Sequence, residues 1–333
     1  MDLFSQDDSA SSRGDFGDGD IVSSAGRKLE IKNYTVKIDS KGEKILLNTG
    51  KKFNFHEIED DGYDSAMLVT KTYDQKNKLT STEVKIMSPY IINALKEVIG
   101  WYPNIDFEGE TIVFLGPPWC LFHYRQELID YCDQYQDYDE ELVRDHVTFA
   151  IKYMKDTFAS DLQHYKNCFQ DRGSNAGLDW SRLWMAYRPG ELIFCRESDE
   201  IFGGRLIEMR STVLGWSLEL ERLVCAGAEM VYDTCSVYIP FYFGLKQLKN
   251  LNFYPLKYHK SQEIVMEKLI KRGKELFSLC GVHQKYYRGH ARWARGSDQE
   301  DDYYCGSYST FRVSFYCNLS NPTLQYFRSE VEL

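Results

Sequence analysis

No apolar run in this 333-residue chain approaches the 18 or so residues of a membrane-spanning helix. The longest, Tyr238 to Leu245, is interrupted by Pro240 and Gly244. No Cys-x-x-Cys occurs among the nine cysteines, which are scattered from Cys120 to Cys317 and odd in number. That spacing argues against a disulfide framework and for buried free thiols. No Gly-Lys-Ser/Thr follows a glycine-rich turn. Leu115-Gly-Pro-Pro-Trp119 resembles the start of a phosphate loop but continues Cys-Leu-Phe. Without the lysine and the metal-holding hydroxyl it predicts a strand end followed by a helix start, with no phosphate chemistry. No Gly-x-Ser-x-Gly elbow is present either, which removes the usual signature of a serine hydrolase. The first residues, Met-Asp-Leu-Phe-Ser-Gln-Asp-Asp, carry no basic segment leading into an apolar one. The expectation is a soluble protein of the cytoplasm or nucleus, without a membrane partner.

Positive charge is also in short supply. Forty basic residues against 50 acidic ones leave a net charge of −10. A general nucleic-acid binder gains affinity by neutralising phosphates, so nucleic acid is an unfavoured partner. What the chain has in quantity is aromatic: 24 Tyr, 19 Phe and 6 Trp. Such a chain can bury a large core without disulfides or metal.

Four regions follow from composition and periodicity. Residues 1–27 hold six Asp, six Ser and four Gly, and read as a disordered acidic tail. Residues 28–178 mix strands and helices. Alternation at Leu29–Ile38 and Ile45–Leu47 around Asp39-Ser-Lys-Gly42 predicts a hairpin, with further strands near 66–72, 82–87 and 111–115. Ser88-Pro89 is a helix start, with Ile91, Ile92, Leu95, Val98 and Ile99 as its stripe. A second helix is expected from Pro117-Pro118 to Cys132. A third carries Val147, Ile151, Met154, Phe158, Leu162 and Tyr165 on one face.

Residues 179–291 are predicted to be β-rich with a closing helix. Asp179 caps a turn carrying Trp180, Leu183 and Trp184, and Arg188-Pro-Gly190 forms the next turn. Strands are expected at 191–196, 205–211, 213–224, 228–239 and 246–252, with a hairpin turn at Gly203-Gly204. Leu214, Trp216, Leu218 and Leu220 share an apolar face. A helix opens at Ser261 and runs to about Cys280, and its Gly273 suggests a close backbone approach. Residues 292–333 form a C-terminal extension. Mixed strands, a helical block, a small antiparallel sheet or barrel and a last helix define an α+β fold.

Few residues point to chemistry. Cys280, His283, His290 and Cys305 are ligand types for zinc, but their spacings match no zinc pattern. The stretch 285–295 is the one concentrated basic patch. Its Lys285, Tyr287, Arg288, Arg292, Trp293 and Arg295 interleave charge and rings and form the candidate interaction patch. Asp298, Glu300, Asp301 and Asp302 follow and offset its charge, which favours a protein contact over nucleic acid.

The order of several motifs resembles the N-terminal, non-ATPase region of fungal AAA-type ATPases, a region catalogued as a domain of unknown function. They are Ser88-Pro89 with Tyr102-Pro103, Leu121-Phe-His-Tyr-Arg-Gln-Glu-Leu128, Leu183-Trp184 with Arg188-Pro-Gly-Glu-Leu192, and Leu248 through Tyr254-Pro-Leu256, His259, Leu269-Ile270 and Arg272-Gly273 to Tyr287-Arg-Gly289. Asp233-Thr234 stands where that family has a glycine-rich turn. The resemblance spans roughly residues 30–291 and implies a fold and a module identity. It implies a non-catalytic protein-interaction module, an adaptor or regulator whose partner is an AAA-type ATPase or a second copy of itself. No catalytic residue, cofactor or metal is expected. Two alternatives stay open: a truncated piece of such an ATPase, or a hydrolase using a Cys/His pair.

Overall fold

A computed structural model describes residues 25–47, 50–135, 141–170, 172, 175–197, 200–226, 229–278, 284–287 and 311–314. The fold is α+β, as expected. The described residues separate into two compact units. One draws on Met1–Gly100, Ile105–Pro118 and Gln126–Ala150, the other on Trp101–Asn104, Trp119–Arg125 and Ile151–Leu333. Of the expected acidic tail, only residues 25–27 lie within the described part.

The first unit is built on a five-stranded sheet. Its strands are β1 (Lys28–Ile38), β2 (Lys44–Leu46), β3 (Ser65–Tyr73), β4 (Leu79–Ile86) and β5 (Ile112–Leu115), in the order β2-β1-β3-β4-β5. The β1–β2 hairpin forms where alternation placed it. Asp39 Oδ1 accepts from the amides of Lys41 and Glu43, both at 2.8 Å, and Gly42 takes φ +81°. β1 and β3 run parallel, joined through β2 and the helix α1 (Phe55–Gly62). That pairing leaves no local trace in the sequence, and neither does α1, a short polar helix capped by Asn54. Ser65–Val69 of β3 is buried on both faces, which suits a central strand.

Helix α2 (Pro89–Val98) begins as predicted, with Ser88 Oγ accepting from the Ile91 amide at 3.3 Å. The expected second helix is two pieces, α3 (Trp119–His123) and α4 (Arg125–Gln134), separated at Tyr124. The long third stripe is also divided. α5 (Glu141–Thr157) stops and α6 (Ala159–Cys168) restarts across Phe158, whose φ −104° and ψ 22° leave the helical region. Val147, Ile151, Met154 and Phe158 are buried, while Leu162 and Tyr165 beyond the break are only half-buried, so the stripe weakens where the helix restarts.

In the second unit, β6 (Gly177–Leu178) precedes a 3-10 turn at Trp180–Ala186, capped by Asp179 as read from the sequence. Then come β7 (Leu192–Glu197), β8 (Glu200–Ser211), β9 (Gly215–Ala226), β10 (Glu229–Pro240), β11 (Lys246–Gln247) and β12 (Phe253–Pro255). The sheet is open and antiparallel, in the order β10-β9-β8-β7-β12, while β6 and β11 pair separately. Helix α7 (Gln262–Ser278) follows, and β13 (Gln284–Tyr287) pairs with β14 (Phe311–Ser314).

The structure corrects four local expectations. Gly203-Gly204 is not a turn but lies inside β8. A Cβ on Gly203 would meet Leu269 at 3.1 Å and one on Gly204 would meet Leu220 at 3.0 Å, so the pair is small because neighbours press on the strand. Leu214 is exposed in the β8–β9 turn, while Trp216, Leu218 and Leu220 make the buried face. Only Lys246–Gln247 of 246–252 is strand; Leu248–Asn250 forms a 3-10 turn. Gly273 has open space around it, so no backbone approach explains it.

Candidate interaction surface

The aromatic residues of the second unit form a continuous file from core to solvent. Trp184 is buried, packed edge-on by Phe122 at 5.0 Å and stacked on Trp119 at 5.0 Å and 10°. Trp119 lies 6.1 Å from Trp216, which lies 5.3 Å from Trp180. Trp180 meets Phe241 at 5.2 Å, and Phe241 meets Phe243 edge-on at 4.8 Å. These separations suit offset and edge-to-face ring contacts. The file ends in water: Phe241 is 52% exposed, Leu245 58% and Phe243 90%.

Local chemistry holds this end of the file out. Asp179 accepts from the Arg182 amide at 3.1 Å and from the Arg182 guanidinium at 2.9 Å, and Arg182 also reaches Asp161 at 2.7 Å. Burial works to raise the Asp179 carboxyl. The hydrogen bonds from Ser181 and Arg182 outweigh it and hold the group below the ordinary carboxylate range. Trp180 is the first residue of the turn so capped, and its carbonyl accepts from Trp216 Nε1 at 2.7 Å. Trp180 Nε1 itself is shielded and has no hydrogen bond among the described residues.

Beyond β10, Tyr242 anchors the segment. Its hydroxyl donates to the Leu178 carbonyl at 2.9 Å, Lys246 sits 5.4 Å over its ring, and Lys246–Gln247 pairs with Gly177–Leu178. A Cβ on Gly177 would meet the Lys246 carbonyl at 2.9 Å, so this pairing needs glycine. With Tyr242 turned inward, alternation leaves Phe241 and Phe243 outward. An open cleft of about 550 Å³ adjoins Leu245, lined also by Asn167, Cys168, Arg172, Asn175 and Gln247.

Several of the residues behind the family resemblance lie elsewhere in the same unit, while Ser88-Pro89 belongs to the first. His123 Nδ1 lies 3.0 Å from the Tyr102 hydroxyl, and its Nε2 lies 2.8 Å from the Trp184 carbonyl. Arg188 sits 3.7 Å over the Tyr124 ring, and Arg125 sits 4.4 Å over Phe122. Tyr187 donates to the Phe253 carbonyl at 2.6 Å, and Tyr254 stacks parallel to His259. These are packing roles. Asp233 and Thr234 lie in the middle of β10.

Two sets of candidate nucleophiles lie among the described residues. Ser88 Oγ and His146 Nδ1 are 2.8 Å apart, the spacing of a serine–histidine pair. Both residues are sealed from solvent and Ser88 is committed as a helix cap, so no substrate can reach the oxygen. Burial raises the thiols of Cys120, Cys132, Cys195 and Cys235, the reverse of what a nucleophile needs. Among the described residues no group of three or more His, Cys, Asp or Glu could hold a metal ion, and no helix is long and apolar enough to cross a membrane. The zinc-type residues Cys280, His283, His290 and Cys305 lie outside the described part.

Of the candidate patch, Lys285 and Tyr287 stand in β13, their backbones opposite Val313 and Phe311. Arg288, Arg292, Trp293 and Arg295 lie outside the described residues. A different apolar stretch, the Tyr238–Leu245 run, is exposed at Phe241, Phe243 and Leu245. Sequence reasoning saw its apolar character but measured it only against a membrane helix.

Residues 169–260 match a family described as a domain of unknown function (DUF7025), a stretch that contains Trp180, Trp216 and the whole Tyr238–Leu245 run. No curated protein and no solved structure matches the chain.

Proposed function

We propose that the chain is a non-catalytic protein-interaction module. In this reading it resembles the N-terminal region of fungal AAA-type ATPases and serves as an adaptor or regulator of such an ATPase. The observation that carries the binding reading is Phe243, 90% exposed at the end of the packed aromatic file. Exposed aromatics backed by packed neighbours are the usual anchors of protein interfaces, because they bury a large area at small entropic cost. The link to an ATPase rests on the ordered motifs from Ser88-Pro89 to Tyr287-Arg-Gly289.

The test is affinity capture of the tagged protein at native level, with and without ATPγS, followed by mass spectrometry. The expected result is an AAA-type ATPase in stoichiometric amount, lost when Phe243→Asp and Phe241→Ser are introduced together. Capture unaffected by those substitutions would remove this surface from the reading. Robust ATP turnover by the purified chain would remove the non-catalytic reading itself.

A further inference from the structure

We propose that β10 is a dimerisation edge, pairing antiparallel with β10 of a second copy so that the two five-stranded sheets become one. β10 is the end strand of its sheet, 12 residues long, with an unbroken register from Glu229 opposite Ala226 to Pro240 opposite Gly215. Native sheets protect such edges with short strands, bulges, lysines or prolines. β10 has no bulge and no lysine, and its one proline is its last residue.

The direction of its free hydrogen-bonding groups follows from the register. Ala226 and Glu229 are partners only three positions apart, a spacing at which a ladder pair must exchange both of its own hydrogen bonds. Pairs alternate from there. Odd-numbered residues from Glu229 to Ile239 bond to β9, and even-numbered ones from Met230 to Tyr238 turn their N–H and C=O outward. Pro240 fits, because its missing N–H falls on the outward side. Among the described residues, no backbone hydrogen bond joins this outer edge to another segment. Tyr238–Tyr242 and Asn250–Phe253 line one small cavity of about 130 Å³, so the far end of β10 faces the β12 edge. The open part is Met230–Val237.

A second copy fits this stretch in one register. Antiparallel pairing must set even residues against even ones, and the middle of the open part allows a two-fold axis at Asp233 or at Thr234. The first would put Asp233 against Asp233, like charges directly opposite. The second puts Thr234 against its own copy, Tyr232 opposite Ser236, Val231 opposite Val237 and Asp233 opposite Cys235. Asp233 is the only charged residue of the open part and is already held by Arg222 of its own β9 at 3.0 Å, so no charge blocks the approach. Tyr232, 73% exposed, and its cross-strand neighbour Leu223 supply apolar surface beside the seam. Strand pairing contributes about six hydrogen bonds between the copies. A self-complementary edge is what a two-fold interface requires.

The test uses the purified full chain and needs no other protein, so its outcome is separate from that of the ATPase reading. Light scattering and sedimentation over about 1–200 μM should show a monomer–dimer equilibrium with a dissociation constant in the micromolar range. Ser236→Pro removes only an outward N–H and should weaken dimerisation at least about tenfold while circular dichroism and melting temperature stay unchanged. Ser236→Lys, an edge charge, should do the same and decides the matter if the proline variant folds poorly. Mild oxidation of Asp233→Cys should yield a covalent dimer with Cys235 of the other copy, absent when Cys235→Ser is added. A wild-type chain monomeric throughout the range overturns the proposal, as does a dimer that survives both Ser236 substitutions in a folded protein.

Discussion

Each unit buries a histidine against a hydroxyl, and the two arrangements differ by one hydrogen bond. In the second unit, His123 is satisfied at both ring nitrogens, by Tyr102 at 3.0 Å and by the Trp184 carbonyl at 2.8 Å. A carbonyl only accepts, so Nε2 carries the proton and Nδ1 accepts from Tyr102. The ring is thus neutral with a fixed tautomer. In the first unit, Ser88 accepts from the Ile91 amide, and its hydroxyl lies 2.8 Å from His146 Nδ1. His146 Nε2 is shielded and makes no well-formed hydrogen bond among the described residues, although the Arg27 backbone offsets part of the effect of burial. One histidine ties three segments that are distant in sequence; the other completes a helix cap. That difference ranks what each should cost to disturb.

The largest effect is expected at His123. His123→Ala opens a ring-sized void and strands both the Tyr102 hydroxyl and the Trp184 carbonyl, for about 3–5 kcal/mol by urea denaturation. His123→Gln, which can still reach one partner, should recover part of it. A loss below about 1 kcal/mol for the alanine variant would contradict a ring bonded at both nitrogens.

Acid should separate the histidines next. Burial lowers the proton affinity of His123 to a pKa of about 3, and lowers those of His146 and His259 in the same direction. An unfolded histidine takes its proton near pH 6.5, so below that value the unfolded chain holds protons the native one lacks. Stability is therefore complete above pH 6.5 and falls on acidification, with His123 contributing down to about pH 3 at up to ~1.4 kcal/mol per pH unit. His123→Gln should flatten the slope of unfolding free energy between pH 6.5 and 4.5. An unchanged slope would mean that His123 is not a neutral buried base.

The caps at Ser88 and Asp179 were readable because capping is local: a short polar side chain, the right residues after it, and an amide within reach. The strands β3, β4 and β5 were readable for a similar reason, period two over a few residues. What escaped was set by distant partners. The parallel β1–β3 pair depends on a crossover, and Gly203-Gly204 looks like a turn until Leu220 and Leu269 press on β8. Gly273 met the opposite fate, since the crowding that would justify it is missing. The exposed surface was half legible. Tyr238–Leu245 is plainly apolar, but its presentation to solvent depends on Tyr242 bonding to Leu178 and on β11 pairing with β6, 60 or more residues away.

The smallest effect is expected at Ser88, and it sharpens the comparison most. Ser88→Ala removes the acceptor for the Ile91 amide and the hydroxyl partner of His146 at once. The void is one oxygen, so no cavity cost on the scale of a ring arises, and the loss should be about 1–2 kcal/mol. Ser88→Asp keeps the cap but sets a carboxylate beside His146 Nδ1, which would favour the protonated ring. The acid slope of stability should then become shallower in that variant while it stays near wild type in Ser88→Ala, where burial still disfavours the charged ring. If both variants shift the slope equally, Ser88 and His146 do not share a proton-dependent bond, and the first unit's histidine is held by packing with Tyr90, 4.9 Å away, rather than by the cap.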